Sequence, residues 1–510
     1  MRLRQELRVP VSLDRSSDES LQDQLAAQLR AAIRQGVLRP GSRLPSTRTM
    51  AETLRVSRSV TASAYDELVA RGYLDSRSGS GTYVAPKHPS TRSGRPVDTA
   101  CGVRHGARPG EDVDLTPGAP GMGRFPVTAW RSAWRRACHQ VPSPGLPPAV
   151  GLPELREAVA QHLCVSRGVK TEPGGIVVTS DAREGLELLA RALLRPGDRV
   201  VVEDPGCPAV SRSLQDRGLE VVPIPVDEDG LVPELLPDTA HAVVVGPSHQ
   251  IPLGSRMTAE RRIRLCKWAA ERGAVIVEDD RHAEFDEGIA PVAPLIAVAD
   301  SLERKPTVIH LNSFAHMISS ELRVGYLVGP QEVMAEVGRT AGDLGRQPPV
   351  LLQRVAADLI LGGHTARHLA RVTADCSAKR ELLRERLASV SHQVTRLSDP
   401  RIGLHLCVEL DRGVCATGVA DRLAQRGITV PALVRYHRGT WPARNGLVIG
   451  YAHLETDMLH RTLNALVKEV RQAARHGEPV AVRTPRVGSS GGRDLSGRLT
   501  LFPERRRWVA

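Results

Sequence analysis

Between about residue 115 and residue 334, short apolar runs alternate with longer amphipathic segments, and this alternation limits the folds open to the chain. Six runs have the length and the β-branched content of buried strands: GIVVTS, RVVVED, EVVPIP, HAVVVGPS, AVIVEDD and TVIHLNS. Strands separated by helices pair in parallel, because each helix returns the chain to the same end of the sheet. The sequence therefore predicts an α/β domain with a central, mostly parallel sheet and helices on both faces.

The C-terminal third differs in pattern from this domain. Residues 335–475 combine long helical segments with the strand-like runs IGLHLCVEL and GLVIGYA, which predicts a smaller α/β subdomain. From Arg475 onward, eight arginines stand against three acidic residues, with Gly and Ser between them. Residues 476–510 are therefore predicted to form a basic, disordered tail.

Length and composition restrict the class of protein. At 510 residues, with 41% hydrophobic and 25% charged residues, the chain is expected to form two or three globular units. No run of about 18 apolar residues occurs, and the N-terminus MRLRQELRVP lacks a secretory apolar core. We expect a cytoplasmic protein without membrane association. The eight cysteines show no CxxC pairs, which predicts reduced thiols and no metal site.

The N-terminal segment, residues 12–85, has a different signature. DESLQDQLAAQLRAAIRQG repeats an apolar residue every four positions, and PSTRTMAETLRV and SRSVTASAYDELVARG predict two further helices. YLDSRSGSGTYVA then predicts a β-hairpin around a Gly/Ser turn. This order of elements is that of a winged helix-turn-helix. Residues 86–114, rich in Pro, Gly and charge, are predicted to be a flexible linker to the α/β domain.

The third predicted helix has the features of a DNA recognition helix. Such a helix presents short polar and cationic side chains at its N-terminal end, where base edges lie in the major groove. Ser57 and Arg58 begin this helix, and Thr61 follows one turn later. Arg48 lies just inside the preceding helix, where it can meet a phosphate. Together with a formal net charge of +12, this pattern predicts a polyanionic partner.

The segment from GVLRPGSRLPSTRTM to SGSGTYVA resembles the winged-helix domain of the GntR superfamily almost end to end. Gly79 and Gly81 of the hairpin would allow a tight wing that approaches a groove closely. Ser80, between them, departs from the more basic or larger residue usual in this family. The resemblance implies that a dimer binds double-stranded operator DNA through Ser46, Arg48, Ser57, Arg58, Thr61 and Gly81.

The larger domain resembles a fold-type I aminotransferase. The resemblance rests on blocks in the expected order, among them GLPELREAVAQHL, VVTSDAREGLELLARALLRPGD, GAVIVEDDRHAEF and SFAHMISSELRVGYLVGP. Joined to the winged helix, this domain makes the whole chain similar to the MocR-type subgroup of GntR regulators. The resemblance implies a head-to-tail homodimer with pockets near the interface.

Members of this fold hold pyridoxal phosphate through a lysine Schiff base, and here His316 occupies the lysine position of SFAH. An imidazole cannot form that bond, and the nearest lysine in sequence, Lys305, precedes the strand. We therefore expect pyridoxal phosphate to bind only non-covalently, if it binds, and expect no catalytic residue.

The other cofactor positions are mixed. The acidic pair Asp279 and Asp280 is retained, and the resemblance favours Asp279 as the partner of the pyridine nitrogen. Asp181 replaces a phosphate-loop glycine and is expected to cap the following helix. Five further residues complete the degenerate cofactor pocket predicted here. Arg323 and His249 match the family, and Arg281 and Cys207 each replace an aromatic residue. Ser313 lies three residues before the lysine position.

These residues favour a transcription regulator whose aminotransferase-like domain dimerises and senses a small ligand. Arg281, Arg323 and His316 suggest a cationic pocket for an anionic effector. Two alternatives stay open at this stage. One is a pyridoxal or pyridoxamine phosphate-dependent enzyme or sensor that uses His316 in place of the lysine, as in sugar dehydratases of this fold. The other is a regulator without a ligand, whose large domain is only a dimerisation scaffold.

Overall fold

The computed structural model of the chain describes residues 11–15, 20–34, 37–38, 40–70, 72–77, 81–85, 112–118, 121, 125–286, 292–398, 403–439 and 441–476. The chain divides into two compact units, Met1–Gly106 and Ala107–Ala510. Residues 477–510 of the predicted tail (476–510) and residues 86–111 of the predicted linker (86–114) lie outside the described residues. His476, the first residue of the predicted tail, ends the helix Thr456–His476.

The N-terminal unit is a winged helix-turn-helix, as predicted. It contains helices α1 (Leu21–Arg34), α2 (Thr47–Leu54) and α3 (Arg58–Ala70), followed by strands β1 (Leu74–Arg77) and β2 (Gly81–Val84), which pair antiparallel. Leu25 and Leu29 of α1 are fully buried against Ala64 and Leu68 of α3. This apolar contact holds α3 by its inner face and leaves the outer face of its first turn free for contact.

The second unit holds the remaining elements. Its helices are α4 (Val127–His139), α5 (Pro153–Arg167), α6 (Ala182–Leu193), α7 (Pro208–Gln215), α8 (Ala259–Arg272), α9 (Leu295–Asp300), α10 (Phe314–Met317), α11 (Gln331–Asp343), α12 (Val350–Leu361), α13 (His364–Ala388), α14 (Ala416–Ala424) and α15 (Thr456–His476). Its strands are β3 (Val113–Asp114), β4 (Ile176–Thr179), β5 (Arg199–Asp204), β6 (Glu220–Asp227), β7 (Gly230–Leu231), β8 (Ala242–Val245), β9 (Val275–Asp279), β10 (Thr307–Ser313), β11 (Gly325–Val328), β12 (Val394–Leu397), β13 (His405–Leu410), β14 (Ile428–Thr429) and β15 (Gly446–Gly450). None of the described helices is both long and apolar enough to span a bilayer.

Eight strands form the central sheet in the order β4-β11-β10-β9-β8-β5-β6-β7. The four pairings from β10 through to β6 are parallel, and all six predicted strands belong to the sheet. Strand β11 was not predicted. It pairs antiparallel with β10 and β4, so the sheet is mixed. The connection from β10 to β11 contains only the four-residue helix α10, which is too short to return the chain to the start of the sheet, so β11 runs in the reverse direction.

Both faces of the sheet are apolar, which explains why the strand sequences are continuous apolar runs. Val200 and Val202 of β5 point into one core, shared with Leu186 of α6. Val201, between them, points into a second core on the opposite face, shared with Leu265 of α8. Side chains alternate across a strand, so helices must cover both faces.

The C-terminal part contains a second, antiparallel sheet in the order β12-β13-β15. Two predicted boundaries need correction. The predicted linker extends too far, because β3 within it pairs in parallel with β14. The boundary predicted at residue 335 lies inside α11, which packs against α6 and β4. That boundary would divide a helix that packs against the central sheet.

A buried arginine supplies a test of this fold. Arg262 of α8 is fully buried, donates hydrogen bonds to the carbonyl oxygens of Met257 and Pro247 at 3.1 and 2.7 Å, and lies 3.9 Å from Glu278. Removing one partner of a buried ion pair typically costs about 3–5 kcal/mol. We expect Arg262→Ala to lower the thermal denaturation temperature strongly. Arg264→Ala, on the same helix but half exposed, should change it little. Equal effects of the two substitutions would contradict this account of α8.

Candidate functional site

The first turn of α3 presents its polar residues to solvent. Ser57 and Arg58 are exposed, and the Ser57 hydroxyl lies 3.4 Å from the backbone N–H of Val60, where it caps the helix. Capping satisfies a free N–H group at the helix start. The arrangement leaves Arg58 on an exposed helix N-terminus, the position from which a recognition helix reaches base edges.

The start of α2 provides a second exposed group. The Ser46 side chain accepts a hydrogen bond from the N–H of Thr49 at 3.1 Å, so this serine is the helix cap. The Arg48 side chain is 80% exposed and pairs with Glu52 at 3.2 Å. An ion pair so exposed is weak, and a phosphate can replace the Glu52 carboxylate.

The assignment of Thr61 to the DNA surface is wrong. Its side chain is fully buried, and its hydroxyl lies 2.9 and 3.0 Å from the carbonyl oxygens of Thr47 and Arg58. Thr61 therefore joins the start of α3 to the start of α2. One turn after Arg58, the helix faces its own unit and not solvent.

Arg43, beside the wing, is a further exposed cation that was not predicted to contact DNA. Gly81 has a φ of +115°, and a Cβ atom at Gly81 would lie 2.9 Å from Nε of Arg43. The exposed Arg43 therefore lies across the hairpin where only glycine leaves room for it. Gly79, the other predicted wing glycine, lies outside the described residues.

In the second unit, the aminotransferase-like pocket lies at the carboxyl ends of the parallel strands, where α/β sheets bind their ligands. Cys207, His249, Asp279 and Arg281 line it, with His316 close by. The chain segments after β5, β8 and β9 supply these side chains. The sheet topology thus brings together residues that are more than 70 positions apart in sequence.

Asp279 is committed to Arg281. The guanidinium donates to both carboxylate oxygens, at 2.7 and 2.6 Å. Burial acts to raise the pKa of Asp279, but the charge and hydrogen bonds of Arg281 outweigh it, and the pKa lies below its ordinary value. The carboxylate predicted to meet a pyridine nitrogen is therefore charged and already paired within the chain.

Arg323 is likewise paired. Its Nη2 lies 2.5 Å from Oδ2 of Asp181, whereas Oδ1 of Asp181 accepts a hydrogen bond from the N–H of Glu184 at 2.8 Å. The prediction that Asp181 caps the following helix, α6, is confirmed. The side chain at the position of the phosphate-loop glycine thus occupies both the arginine and the helix N-terminus that would hold a phosphate.

His316 is neutral in this environment. Its Nδ1 lies 2.6 Å from the carbonyl oxygen of Gly118, so the ring donates its proton there. Burial, reinforced by the positive charge of Arg281, lowers the pKa of His316 to about 4. The expectation of a cationic pocket is therefore wrong: Arg281 and Arg323 are each neutralised by a carboxylate, and His316 carries no charge near neutral pH.

The residues present do not fit pyridoxal phosphate. The cavity beside Cys207 and Arg281 has a free volume of about 30 Å³. That is enough for a water molecule or two, whereas ligand pockets typically measure about 300–1,000 Å³. No lysine occurs among the described residues that line the cavity. With its carboxylate and its phosphate-binding arginine both paired internally, the pocket lacks the free charges that the cofactor requires.

Two predicted pocket residues point elsewhere. Asp280 is buried and pairs with Arg167 at 2.8 Å, on the opposite side of the chain from Asp279. Neighbouring side chains of an extended segment point to opposite faces, so only one of the two acids can reach the pocket. Ser313 is buried and caps the short helix α10 through a 3.3 Å hydrogen bond from the N–H of Ala315. Their assignment to the pocket is corrected accordingly.

Two features around the pocket were not singled out from sequence. His282 and His405 lie against His249, with ring centroids 5.4 and 4.7 Å from it. The carboxyl Oε1 of Glu203, in the cavity wall, is enclosed by protein, and burial raises the pKa of Glu203 to about 8. The motif VVEDPG contains Glu203, but nothing in its spacing signals a buried carboxyl.

Family models match both units. The model described as "Aminotransferase class I and II" matches residues 111–466, and the model described as "Bacterial regulatory proteins, gntR family" matches residues 21–84. Solved aminotransferase structures share the fold of the second unit. An archaeal alanine:glyoxylate aminotransferase superposes with a TM-score of 0.66 at 21% identity, covering 72% of this chain and 92% of that protein.

Curated relatives cover nearly the full length. The HTH-type pyridoxine biosynthesis transcriptional regulator PdxR of Corynebacterium glutamicum is 35% identical over 429 residues, which cover 84% of this chain and 91% of the relative. The probable rhizopine catabolism regulatory protein MocR of Rhizobium meliloti is 33% identical over 478 residues, covering 89% and 94%. Both relatives are named as regulators, and each match covers most of both chains.

The buried carboxyl of Glu203 generates a pH prediction. Its pKa is raised from 4.5 to about 8 in the folded chain, so between these values the folded state holds a proton that the unfolded state has lost. Its contribution to the free energy of unfolding therefore falls as the pH rises from about 4.5 to 8. We expect Glu203→Gln to raise Tm at pH 8.5 by roughly 2–5 °C relative to the native chain. At pH 5 the two should differ little.

The matched control is Glu271→Gln, an exposed residue of α8. Its Tm difference from the native chain should not depend on pH in the same range. A Glu203→Gln variant whose Tm falls with pH as steeply as that of the native chain would contradict the assignment.

Proposed function

The chain belongs to the MocR-type branch of the GntR-family bacterial regulators, and from this membership we propose that it is a DNA-binding transcription regulator and not an aminotransferase. The observation that carries the proposal is the first turn of α3, where Ser57 and Arg58 are exposed on a helix that Leu68 and Ala64 anchor from behind. A helix so held can enter the major groove of operator DNA as a rigid element.

The contacts divide into two kinds. Arg58, at the helix start, is placed to read base edges. Arg48 and Arg43, both exposed, are placed to meet phosphates on either side, with Arg43 lying across Gly81 of the wing. Phosphate contacts position a protein, whereas base contacts specify the sequence. Sequence preference is therefore assigned mainly to Arg58 and Ser57.

We assign dimerisation to the second unit. Helix α12 packs against both α4 and α5, and the three helices expose large apolar side chains at Val127, Val165, Leu351 and Leu361. Exposed apolar groups on adjoining elements are typical of a subunit interface. A homodimer would present two winged helices to an operator with two half-sites. Such a regulator acts where the DNA is, and we assign it to the cytoplasm.

We further propose that the second unit works without covalently bound pyridoxal phosphate. Supporting this are the His316 ring in place of an amine and the two internal pairs, Asp279 with Arg281 and Asp181 with Arg323. The low pKa of His316 also disfavours the alternative of an enzyme that uses this imidazole as a base near neutral pH.

An anionic effector remains part of the proposal, with Arg323 as its contact. The Arg323 side chain is 63% exposed, so its pair with Asp181 is partly screened by water. A small ligand carboxylate can displace Oδ2 of Asp181 from Arg323 while Oδ1 keeps its bond to the N–H of Glu184. An effector of this kind would act by competition with a side chain.

The DNA assignment is tested by two substitutions with different expected signatures. Arg58→Ala should abolish sequence preference, with a loss of about 1–3 kcal/mol on the specific operator and little on random DNA. Arg48→Ala should weaken binding to both DNAs equally. It should also lower the slope of the logarithm of the binding constant against the logarithm of salt concentration by about one. Fluorescence anisotropy on both DNAs at several salt concentrations measures this. Retention of operator preference by Arg58→Ala, with a native circular dichroism spectrum, would refute the base-reading role.

The pocket assignment is tested by titration with pyridoxal phosphate, read as visible absorbance. The native chain should show no saturable shifted band, because it has neither an amine nor a free phosphate site. The double variant His316→Lys/Asp181→Gly supplies both groups and should gain a shifted band. It should bind pyridoxal phosphate at least about tenfold more tightly than His316→Lys alone. Adding Arg323→Ala should reverse that gain.

The control is His392→Lys/Asp181→Gly, which adds the lysine at an exposed position outside the pocket. It should behave as the native chain does. A saturable shifted band in the native protein would overturn the proposal that the cofactor is absent, and would leave the DNA-binding assignment untouched.

A further inference from the structure

Three buried histidines from distant parts of the chain meet beside the pocket. His249 follows β8, His282 follows β9, and His405 begins β13 of the second sheet. Their side chains are almost wholly enclosed, with residue exposures of 5%, 3% and 0%. One ring nitrogen from each histidine lies within 4.8 Å of the corresponding nitrogens of the other two. We refer to these residues as the histidine cluster.

The histidine cluster offers lone pairs and not charges. Burial lowers the pKa of all three rings, to about 4 for His405 and well below 6.5 for His249 and His282. Neutral imidazole is the form that binds metal ions. Among the described residues, the enclosed Nδ1 atom of His282 has no hydrogen-bond partner. Buried polar atoms without partners are costly and call for an explanation.

The distance between the rings of His249 and His405 suits a tetrahedral ion. Nε2 of His249 lies 3.4 Å from Nδ1 of His405, and two nitrogens each about 2.0–2.1 Å from a tetrahedral ion are roughly 3.3 Å apart. Nε2 of His405 lies 3.2 Å from the carbonyl oxygen of Pro252. Donation to that carbonyl leaves the lone pair of Nδ1 facing His249. A carbonyl that fixes the tautomer of a ligand from outside is a regular feature of metal sites.

The backbone around His249 is shaped to hold its ring. Gly403 has a φ of +90°, and a Cβ atom there would lie 2.3 Å from Nε2 of His249. A Cβ atom at Gly254 would lie 3.4 Å from Cε1 of the same ring. His249 and His282 also border the small cavity, which gives an ion bound between them access to water or to a small ligand at a fourth position.

We propose that His249, His282 and His405 form a binding site for one divalent transition-metal ion, such as Zn²⁺. Three imidazoles with an open fourth position are a ligand set that Zn²⁺ and its neighbours accept, and that Mg²⁺ and Ca²⁺, which bind oxygen ligands, do not. The ion would join the loops at the carboxyl ends of β8 and β9 to β13, and so fix the second sheet against the first. The site is independent of the DNA surface and of Arg323.

The spacing of the three residues explains why no metal site was predicted from the sequence. His249 and His282 are 33 positions apart, and His405 follows 123 positions later. Metal motifs are found in sequence when ligands share one helix or one loop. Here only the folded chain brings them together.

The test uses the full-length chain, first stripped of metal with a chelator. Titration with Co²⁺ should give one equivalent of binding with the intense visible absorption of a tetrahedral cobalt site. Nitrogen ligation predicts no thiolate-to-cobalt charge-transfer band, which separates this site from binding by the cysteines. Zn²⁺ should displace the Co²⁺ and raise Tm. The variants His249→Gln, His282→Gln and His405→Gln should each weaken Zn²⁺ binding at least about tenfold.

His310→Gln is the matched control, since His310 is equally buried in the same unit but pairs with Glu278 at 3.3 Å. Its affinity for Zn²⁺ should equal that of the native chain. A native chain without a tetrahedral Co²⁺ spectrum would overturn the proposal, even if every variant failed to fold. Unchanged Zn²⁺ affinity in the three cluster variants, or a thiolate band on Co²⁺ addition, would overturn it as well.

Discussion

The ion pair between Asp279 and Arg281 determines the character of the second unit. In this fold a carboxylate at the end of β9 stands alone in a buried pocket unless a cationic partner meets it, because an unpaired buried charge is too costly to keep. Here the partner is a side chain two residues further on, with two short hydrogen bonds. The arginine fills the space beside the strand ends, and the cavity that remains there measures about 30 Å³. The second pair, Asp181 with Arg323, follows the same principle at the helix N-terminus.

Strand β9 and the residue after it show how closely this pocket is tied to the core beneath it. Glu278 and Asp280 point away from the pocket, toward His310 and Arg167 respectively, whereas Asp279 points into it. Three consecutive acidic residues thus point to alternating sides of the sheet, and each pairs with a histidine or an arginine. Each of the three acids therefore has a basic partner within the chain, which offsets the cost of burying its charge.

The elements of the fold could be predicted from the sequence where the pattern of apolar residues within one segment determined them. All six predicted strands and the three helices of the winged domain are present, because apolar periodicity depends only on which face is buried. Prediction from the sequence failed where the outcome depended on a partner far along the chain. Thr61 has the polarity of a DNA contact but bonds to Thr47, and Arg281 and Arg323 are cationic residues that the fold neutralises. The meeting of His405 with His249 could not be predicted either, since it requires the packing of one sheet against another.

Asp181 performs two tasks with two separate oxygens: Oδ1 begins helix α6, and Oδ2 holds Arg323. An asparagine would retain the helix cap and give up the negative charge, and a serine would do nearly the same. A single substitution at Asp181 can therefore remove one negative charge from this pocket while the helix start stays intact. Descendants of such a chain have a short mutational path to a different ligand, and the winged domain need not change at all along the way.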